Sequence, residues 1–196
     1  DDLYEYCKEF GIQSDGGEAD DYCGIAADLA IQDNKRYIVC HIDKDLDCIP
    51  GWHYNFRKDT LYYVEPEDGY RFLMMQILTG DATDNIQGLR GVGPKTAEKL
   101  INGVPNNLLW SKVIDIWKEK CGDNWEPFFL KCANCIYIRE SDEDLKPLSF
   151  EELKERLSWK TTDTGLPSQT DQTTPSDSSM QSLDQLEDNT SEESNL

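Results

Sequence analysis

Apolar and polar positions along the chain alternate between helical and extended periods. In residues 1–10, Leu3, Tyr6 or Cys7, and Phe10 fall on one side, which predicts a short amphipathic helix. Phe10-Gly11-Ile12-Gln13 suits a short strand, and Ser14-Asp15-Gly16-Gly17 a turn. Glu18–Ala30 is rich in Ala and Leu and predicts a helix. Arg36–Ile42 is dominated by β-formers and predicts a buried strand. Trp52–Arg57 and Thr60–Val64 predict two more strands around Lys58-Asp59. Glu65–Leu78 reads as a helix, with Pro66 in its first turn and Phe72, Met75 and Leu78 as its apolar set. Further helices are predicted over Asn107–Lys120 (Leu109, Val113, Ile116, Trp117), Trp125–Ile138 and Ser149–Leu157 (Phe150, Leu153, Leu157). This is an α/β pattern followed by a helical region.

From Thr161 onward Ser, Thr, Gln, Asp and Pro dominate, a composition expected to stay disordered. The organisation read from the sequence is therefore an α/β core piece over 1–65, a helical region over 66–160 and an acidic tail over 161–196. The net charge is −20, from 39 acidic and 19 basic residues. Eight acids and no Lys or Arg lie beyond residue 160, which leaves −12 for residues 1–160. An acidic body argues against generic nucleic-acid binding, which needs a basic footprint. It suits clustered carboxylates that divalent cations neutralise.

Seven scattered cysteines include a single C-x-x-C, Cys132 and Cys135, too little for a zinc site and read as half-buried thiols on a helix. Their use suits a reducing cytoplasm. No stretch is apolar and long enough for a membrane span. His41 falls in a strand and His53 among aromatics, and no Ser-His-Asp spacing emerges.

Three acidic clusters sit at junctions of the α/β pattern: Glu18, Asp20 and Asp21; Asp43 and Asp45; Asp81 and Asp84. Each alone is ordinary, as helix-start acids or turn acids. Together they read as a cage for hard cations. Asp81 and Asp84 are three apart and would share a face of a helical turn. The loop Gly88-Leu89-Arg90-Gly91-Val92-Gly93 then opens a helix at Pro94 or Lys95. Such a helix start offers free N–H groups and a positive end to a phosphate, with Lys95 and Lys99 on one face beside it.

Gly80-Asp81-Ala82-Thr83-Asp84-Asn85 followed by Gly91-Val92-Gly93-Pro94-Lys95-Thr96-Ala97 resembles the helix–three-turn–helix signature of the flap endonuclease and 5′–3′ exonuclease family. Glu18-Ala19-Asp20-Asp21 resembles that family's first-metal motif, and Ile42-Asp43-Lys44-Asp45-Leu46 its strand-end motif. The likeness is to bacterial and bacteriophage members over residues 1–140. It implies a partial PIN-like, parallel-sheet core followed by a helix–hairpin–helix region.

The resemblance implies two Mg²⁺ or Mn²⁺ ions held by Glu18, Asp20, Asp21, Asp43, Asp45, Asp81 and Asp84, with Glu18, Asp20, Asp43 and Asp45 catalytic. It implies a DNA duplex with a free 5′ strand held by Gly88, Arg90, Gly91, Val92, Gly93, Lys95, Thr96 and Lys99, with a K⁺ ion in the loop. It places the protein in the cytoplasm of a bacterial or phage-infected cell, in replication or repair. Family members carry two further aspartates and a basic arch before the Glu-x-Asp-Asp motif. The expectation is a C-terminal part that a preceding segment or second chain completes. The alternatives are a non-catalytic DNA-structure-binding module and, more remotely, a structural domain attached to a polymerase.

Overall fold

The structure, a computed structural model, describes Gly11, residues 17–141 and residues 146–159. All of these lie within one compact unit, Asp1–Thr164. The helix expected over 1–10, most of the strand and turn expected after it, and the tail over 161–196 lie outside the described residues.

Helix α1 (Ala19–Gln32) starts after Glu18. Strand β1 (Ile38–His41) runs into a 3-10 turn (Lys44–Cys48), then β2 (Gly51–Asn55) and β3 (Thr60–Val64). β1 pairs parallel with β2, and β2 pairs antiparallel with β3. The sheet is therefore mixed. The strand expected over Arg36–Ile42 is shorter and buried on one face only: Val39 and His41 are buried, Ile38 and Cys40 exposed. Among the described residues β1 pairs only with β2, so its other edge is open. A small core of Ala27, Val39, Leu46, Ile49 and Ile138 fills the space under the sheet.

The larger core is helical. α2 (Pro66–Thr79) has Pro66 in its first turn, where a missing N–H costs nothing. α3 (Pro94–Ile101), α4 (Asn106–Cys121), α5 (Trp125–Ile136) and α6 (Phe150–Leu157) pack around it. Leu109, Val113, Ile116 and Trp117 are all buried, at the helical spacing read from the sequence. Trp117, Trp110, Trp125 and Phe150 surround Phe129 at ring separations of 5.7 to 6.0 Å. On α2 the buried face is Leu73, Met74, Ile77 and Leu78; of the expected Phe72, Met75 and Leu78, only Leu78 belongs to it. Phe72 and Met75 are half-buried and line a groove instead. The helix is covered on one side by α4 and α5 and open to that groove on the other.

Three ties fix the elements that matter for the site. The Arg71 guanidinium on α2 donates to Ile101 O, Val104 O and Asn106 Oδ1 at 2.9 to 3.1 Å. It thereby satisfies carbonyls at the C-terminal end of α3 and holds that helix against α2. The short hairpin β4 (Gly80–Asp81) and β5 (Ile86–Gln87) folds back on the end of α2, where Leu89 N donates to Leu78 O at 2.9 Å. The chain crosses itself at Gly80 and Gly88 so closely that a Cβ on either would strike the other's backbone. Finally, Arg139, just after α5, ties down α1: its Nη1 lies 3.0 Å from Asp21 Oδ2, and its backbone N–H donates to Asp21 Oδ1.

Replacing Arg139 by Ala leaves the buried Asp21 carboxylate half compensated. It should destabilise the fold by about 3 kcal/mol, read as a lower urea midpoint with unchanged slope. A midpoint within error of the native protein would show that α1 is held without this pair.

Candidate metal centre and phosphate-binding groove

The carboxylates reach the site from four different elements. Asp45 sits in the 3-10 turn after β1; Asp43 precedes the turn as its N-cap, its Oδ1 accepting from Asp45 N at 3.0 Å. Asp81 ends β4, and Asp84 lies in the turn between β4 and β5. The expected helical turn is absent here. Asp81 and Asp84 approach because the chain reverses through Asn85, at φ 58°, and because Thr83 N–H binds back to Asp81 Oδ1 at 2.7 Å. Glu18 and Asp20 come from the start of α1.

Asp45, Asp81 and Asp84 each bring one oxygen to within 4.8 Å of the others. A cleft of about 500 Å³ is lined by Glu18, Asp20, Asp21, Asp45, Asp84 and Gln76, among others. Thus Glu18, Asp20, Asp45 and Asp84 face one space, with Asp81 at its edge. Two expected members are placed differently. Asp21 lines the same cleft, but both of its oxygens are engaged by Arg139. Asp43 is exposed and lines the neighbouring cleft with Lys44 and Asp47.

Electrostatics mark the centre as starved of positive charge. Burial raises the Glu18 carboxyl above its ordinary range, and Asp20, Asp21 and Asp84 push it further. Burial likewise raises Asp20, with the Asp21 and Asp43 charges adding to it. Arg139 lines the cleft and offsets part of the push on Glu18; Lys44 bridges the other acids, its Nζ 2.8 Å from Asp45 Oδ1 and 2.5 Å from Asp81 Oδ2. That ammonium holds Asp81 below the usual carboxylate range. Burial would lower Lys44 itself, but hydrogen bonds to the two aspartates outweigh it and leave it raised. Gln76 on α2 steadies the same oxygen of Asp45 through Nε2 at 2.6 Å. The oxygen-only donor set, its close spacing and the ammonium at its centre fit a hard divalent cation.

Lys44 and Gln76 were not singled out from the sequence. Lys44 stood in view between two aspartates, and Gln76 is the polar break in the apolar row of α2.

A second groove of about 390 Å³ joins this centre to the glycine loop. Its walls include Lys44, Asp81 and Thr83 on one side and Gly93 and Pro94 on the other, with Phe72 and Met75 below. Gly93 is the N-cap of α3 and Pro94 its first residue. Arg90, Gly91, Gly93, Lys95, Thr96 and Lys99 are exposed, whereas Val92 is buried and Gly88 half-buried. Val92 anchors the loop by its side chain, and Gly88 is explained by the crossing with Gly80. A Cβ on Gly91 or Gly93 would meet nothing within 4 Å, so the space in front of the helix start is open. The open side is where an anion would approach.

No family model matches the chain. In sequence and fold it is similar to 5′ nucleases. It is 36% identical over 120 residues to a protein named 5′-3′ exonuclease of Buchnera aphidicola subsp. Acyrthosiphon pisum, a match covering 53% of the chain and 41% of that protein. It is 33% identical over 102 residues to DNA polymerase I of Rhizobium leguminosarum, covering 46% of the chain and 10% of the polymerase. The match thus spans well under half of either relative. Among solved structures, a mutant T5 5′-exonuclease superposes with a TM-score of 0.56 at 19% identity, covering 80% of the chain and 71% of that one. The T5 D15 protein co-crystallised with metal ions gives 0.58 at 17% identity, covering 80% and 65%. The α/β fold is that of the T5 enzyme.

Asp20→Asn should stabilise the metal-free protein at neutral pH by roughly 0.5 kcal/mol, because a partly solvated carboxylate under repulsion is removed. The sign follows from the raised pKa: the folded state binds this proton more tightly than the unfolded chain, so ionised Asp20 opposes folding as pH rises. The gain should vanish in acid, where Asp20 is already neutral. Thermal melts of both proteins across that range, in chelator, check it. A loss of stability at neutral pH would contradict the repulsion.

Proposed function

We propose that the chain carries the metal-binding and duplex-holding parts of a 5′ nuclease that hydrolyses phosphodiester bonds in DNA with a duplex arm and a free 5′ strand. One observation carries the reading: carboxylates from four elements converge on one centre that shares a groove with an open helix start. The two sequence relatives and the T5 fold support it.

Glu18, Asp20, Asp45, Asp81 and Asp84 would hold a pair of Mg²⁺ or Mn²⁺ ions, with Asp43 beside them. Bound there, the ions supply a nucleophilic water at neutral pH and neutralise the phosphodiester. Gln76 keeps the Asp45 carboxylate in position. Lys44, whose side chain is 60% exposed, is free to swing from Asp45 and Asp81 toward an incoming phosphate. Backbone N–H groups around Gly91 and Gly93, with Arg90, Lys95, Thr96 and Lys99, hold the duplex backbone without reading its sequence. A K⁺ ion among the loop carbonyls belongs to the same proposal.

A segment or second chain against the open edge of β1 completes the core. The exposed Ile38 and Ile42 beside that edge support this. The cysteines described are free thiols, which supports a reducing bacterial or phage-infected cytoplasm. Among the described residues no helix is long and apolar enough to cross a membrane.

The test is cleavage of a 5′-labelled flap duplex with Mg²⁺ or Mn²⁺, and EDTA as control. Asp43→Asn and Asp45→Asn should each lower cleavage by about a hundredfold or more while duplex binding persists. Gly93→Val has room for its side chain but is a poorer N-cap, so the melting point should fall only slightly while duplex binding weakens about tenfold. Full activity in Asp45→Asn would end the metal-cage reading. Binding without cleavage by the native chain would favour a non-catalytic DNA-structure-binding module.

A further inference from the structure

Behind the acidic centre, the core face of the sheet holds a second polar cluster that the proposed nuclease chemistry does not use. His41 on β1 and His53 on β2 are both buried, His53 completely. The parallel pairing of Val39 with His53 puts the two rings on one face of the sheet. His41 Nε2 lies 2.7 Å from His53 Nδ1. Asp47 Oδ1 lies 3.8 Å from the first nitrogen and 4.0 Å from the second. Tyr62 on β3 donates its hydroxyl to Asp47 Oδ1 at 2.6 Å and sits 3.2 Å from His41 Nε2.

The outer nitrogens decide the chemistry of the inner ones. His53 Nε2 faces the carbonyl of Ile49 at 2.8 Å, and His41 Nδ1 faces the carbonyl of Asp43. A carbonyl accepts only, so each of these nitrogens must carry the proton. In neutral rings the remaining nitrogens, His41 Nε2 and His53 Nδ1, are then bare lone pairs pointed at one another. Two lone pairs at this distance repel unless a cation stands between them. Imidazoles whose far N–H is fixed by a backbone carbonyl are also the usual arrangement at metal sites.

We propose that His41 Nε2, His53 Nδ1 and Asp47 Oδ1 form a site for one borderline divalent transition ion, Zn²⁺ or a close substitute, separate from the hard-cation centre. Two imidazoles and one carboxylate suit such an ion and not Mg²⁺. Ligands of a tetrahedral ion lie about 3.3 Å apart. The histidines would open and Asp47 would close, each by roughly half an ångström. The fourth position faces a cleft of about 350 Å³ lined by His41, Asp47, Tyr62, Arg57 and Lys58, which gives the ion an entry path and room for a water. Bound there, the ion would clamp β1, β2 and the turn between them, the segment that presents Asp43 and Asp45.

The test is metal retention by the whole chain. Protein loaded with Zn²⁺ and dialysed against excess Mg²⁺ should keep one Zn²⁺ per chain. With Co²⁺ it should show the intense visible absorption of a four-coordinate ion. Asp47→Asn and His53→Gln should each weaken retention at least tenfold, as expected for a lost ligand. Asp45→Asn and Cys135→Ser should leave it unchanged. If His53→Gln fails to fold, Asp47→Asn decides, because Asp47 is 35% exposed. No retained Zn²⁺, retention that survives Asp47→Asn, or retention lost in Asp45→Asn or Cys135→Ser would each overturn the proposal. A shared proton would then account for the close histidines. None of these outcomes depends on nuclease activity.

Discussion

The Lys44 ammonium between Asp45 and Asp81 is the contact on which the arrangement turns. It spans 37 residues of sequence and joins the turn after β1 to the hairpin after α2. Without a positive charge there, several carboxylates would face one another in a partly buried cleft, and burial and mutual repulsion already raise two of them. An ammonium is a provisional answer to that repulsion. It carries a single charge on a flexible, largely exposed stem. A divalent ion brings twice the charge and can accept oxygens from several aspartates at once. The centre is therefore arranged around a positive charge, which the lysine supplies here and a divalent ion would supply in the proposed enzyme.

The same tie sets the second half of the proposed site. Asp81 belongs to a hairpin locked to the end of α2 by the Gly80–Gly88 crossing. α2 in turn grips α3 through Arg71. The distance from the carboxylates to the start of α3 is thus fixed by packed elements and not by a loose loop. That rigidity is what a two-wall groove needs if one wall grips a phosphate while the other acts on its neighbour.

Local chemistry was legible in the sequence, and long-range partners were not. Gly80-Asp81-x-x-Asp84-Asn85 and the glycine loop stood out because their function sits in a few consecutive residues. The helix start at Pro94 was read correctly, but the conformation of the first stretch was misread, since strands of two residues carry no periodicity and Asp81 and Asp84 looked like one helical face. Asp20 and Asp21 look alike in the sequence, yet Arg139, 118 residues further on, claims Asp21 and leaves Asp20 open. The apolar face of α2 was assigned one step off because the helix has two apolar surroundings, a core and a groove. Ile38 and Cys40 were expected to be buried because β-formers crowd that strand, but only one face of β1 is covered. His41 and His53 meet only through a parallel pairing, which no sequence window contains.

A body of net charge −12 proposed to grip a polyanion looks contradictory until charge is resolved by position. Around Gly93 the exposed charged groups are Arg90, Lys95 and Lys99 against the single acid Glu98, together with the positive end of α3. Five of the acids, Glu18, Asp20, Asp45, Asp81 and Asp84, gather at the carboxylate centre, where the proposed pair of divalent ions would largely cancel their charge. Screening at physiological salt limits each charge to about 8 Å. At that range a phosphate against α3 responds to the loop and its lysines, and a phosphate at the centre to the bound ions. The distant acids are then felt chiefly as a weaker approach from solution. If the chain holds DNA as proposed, that association should gain from divalent ions beyond what ionic strength alone predicts, since those ions would cancel the repulsion of the acidic centre.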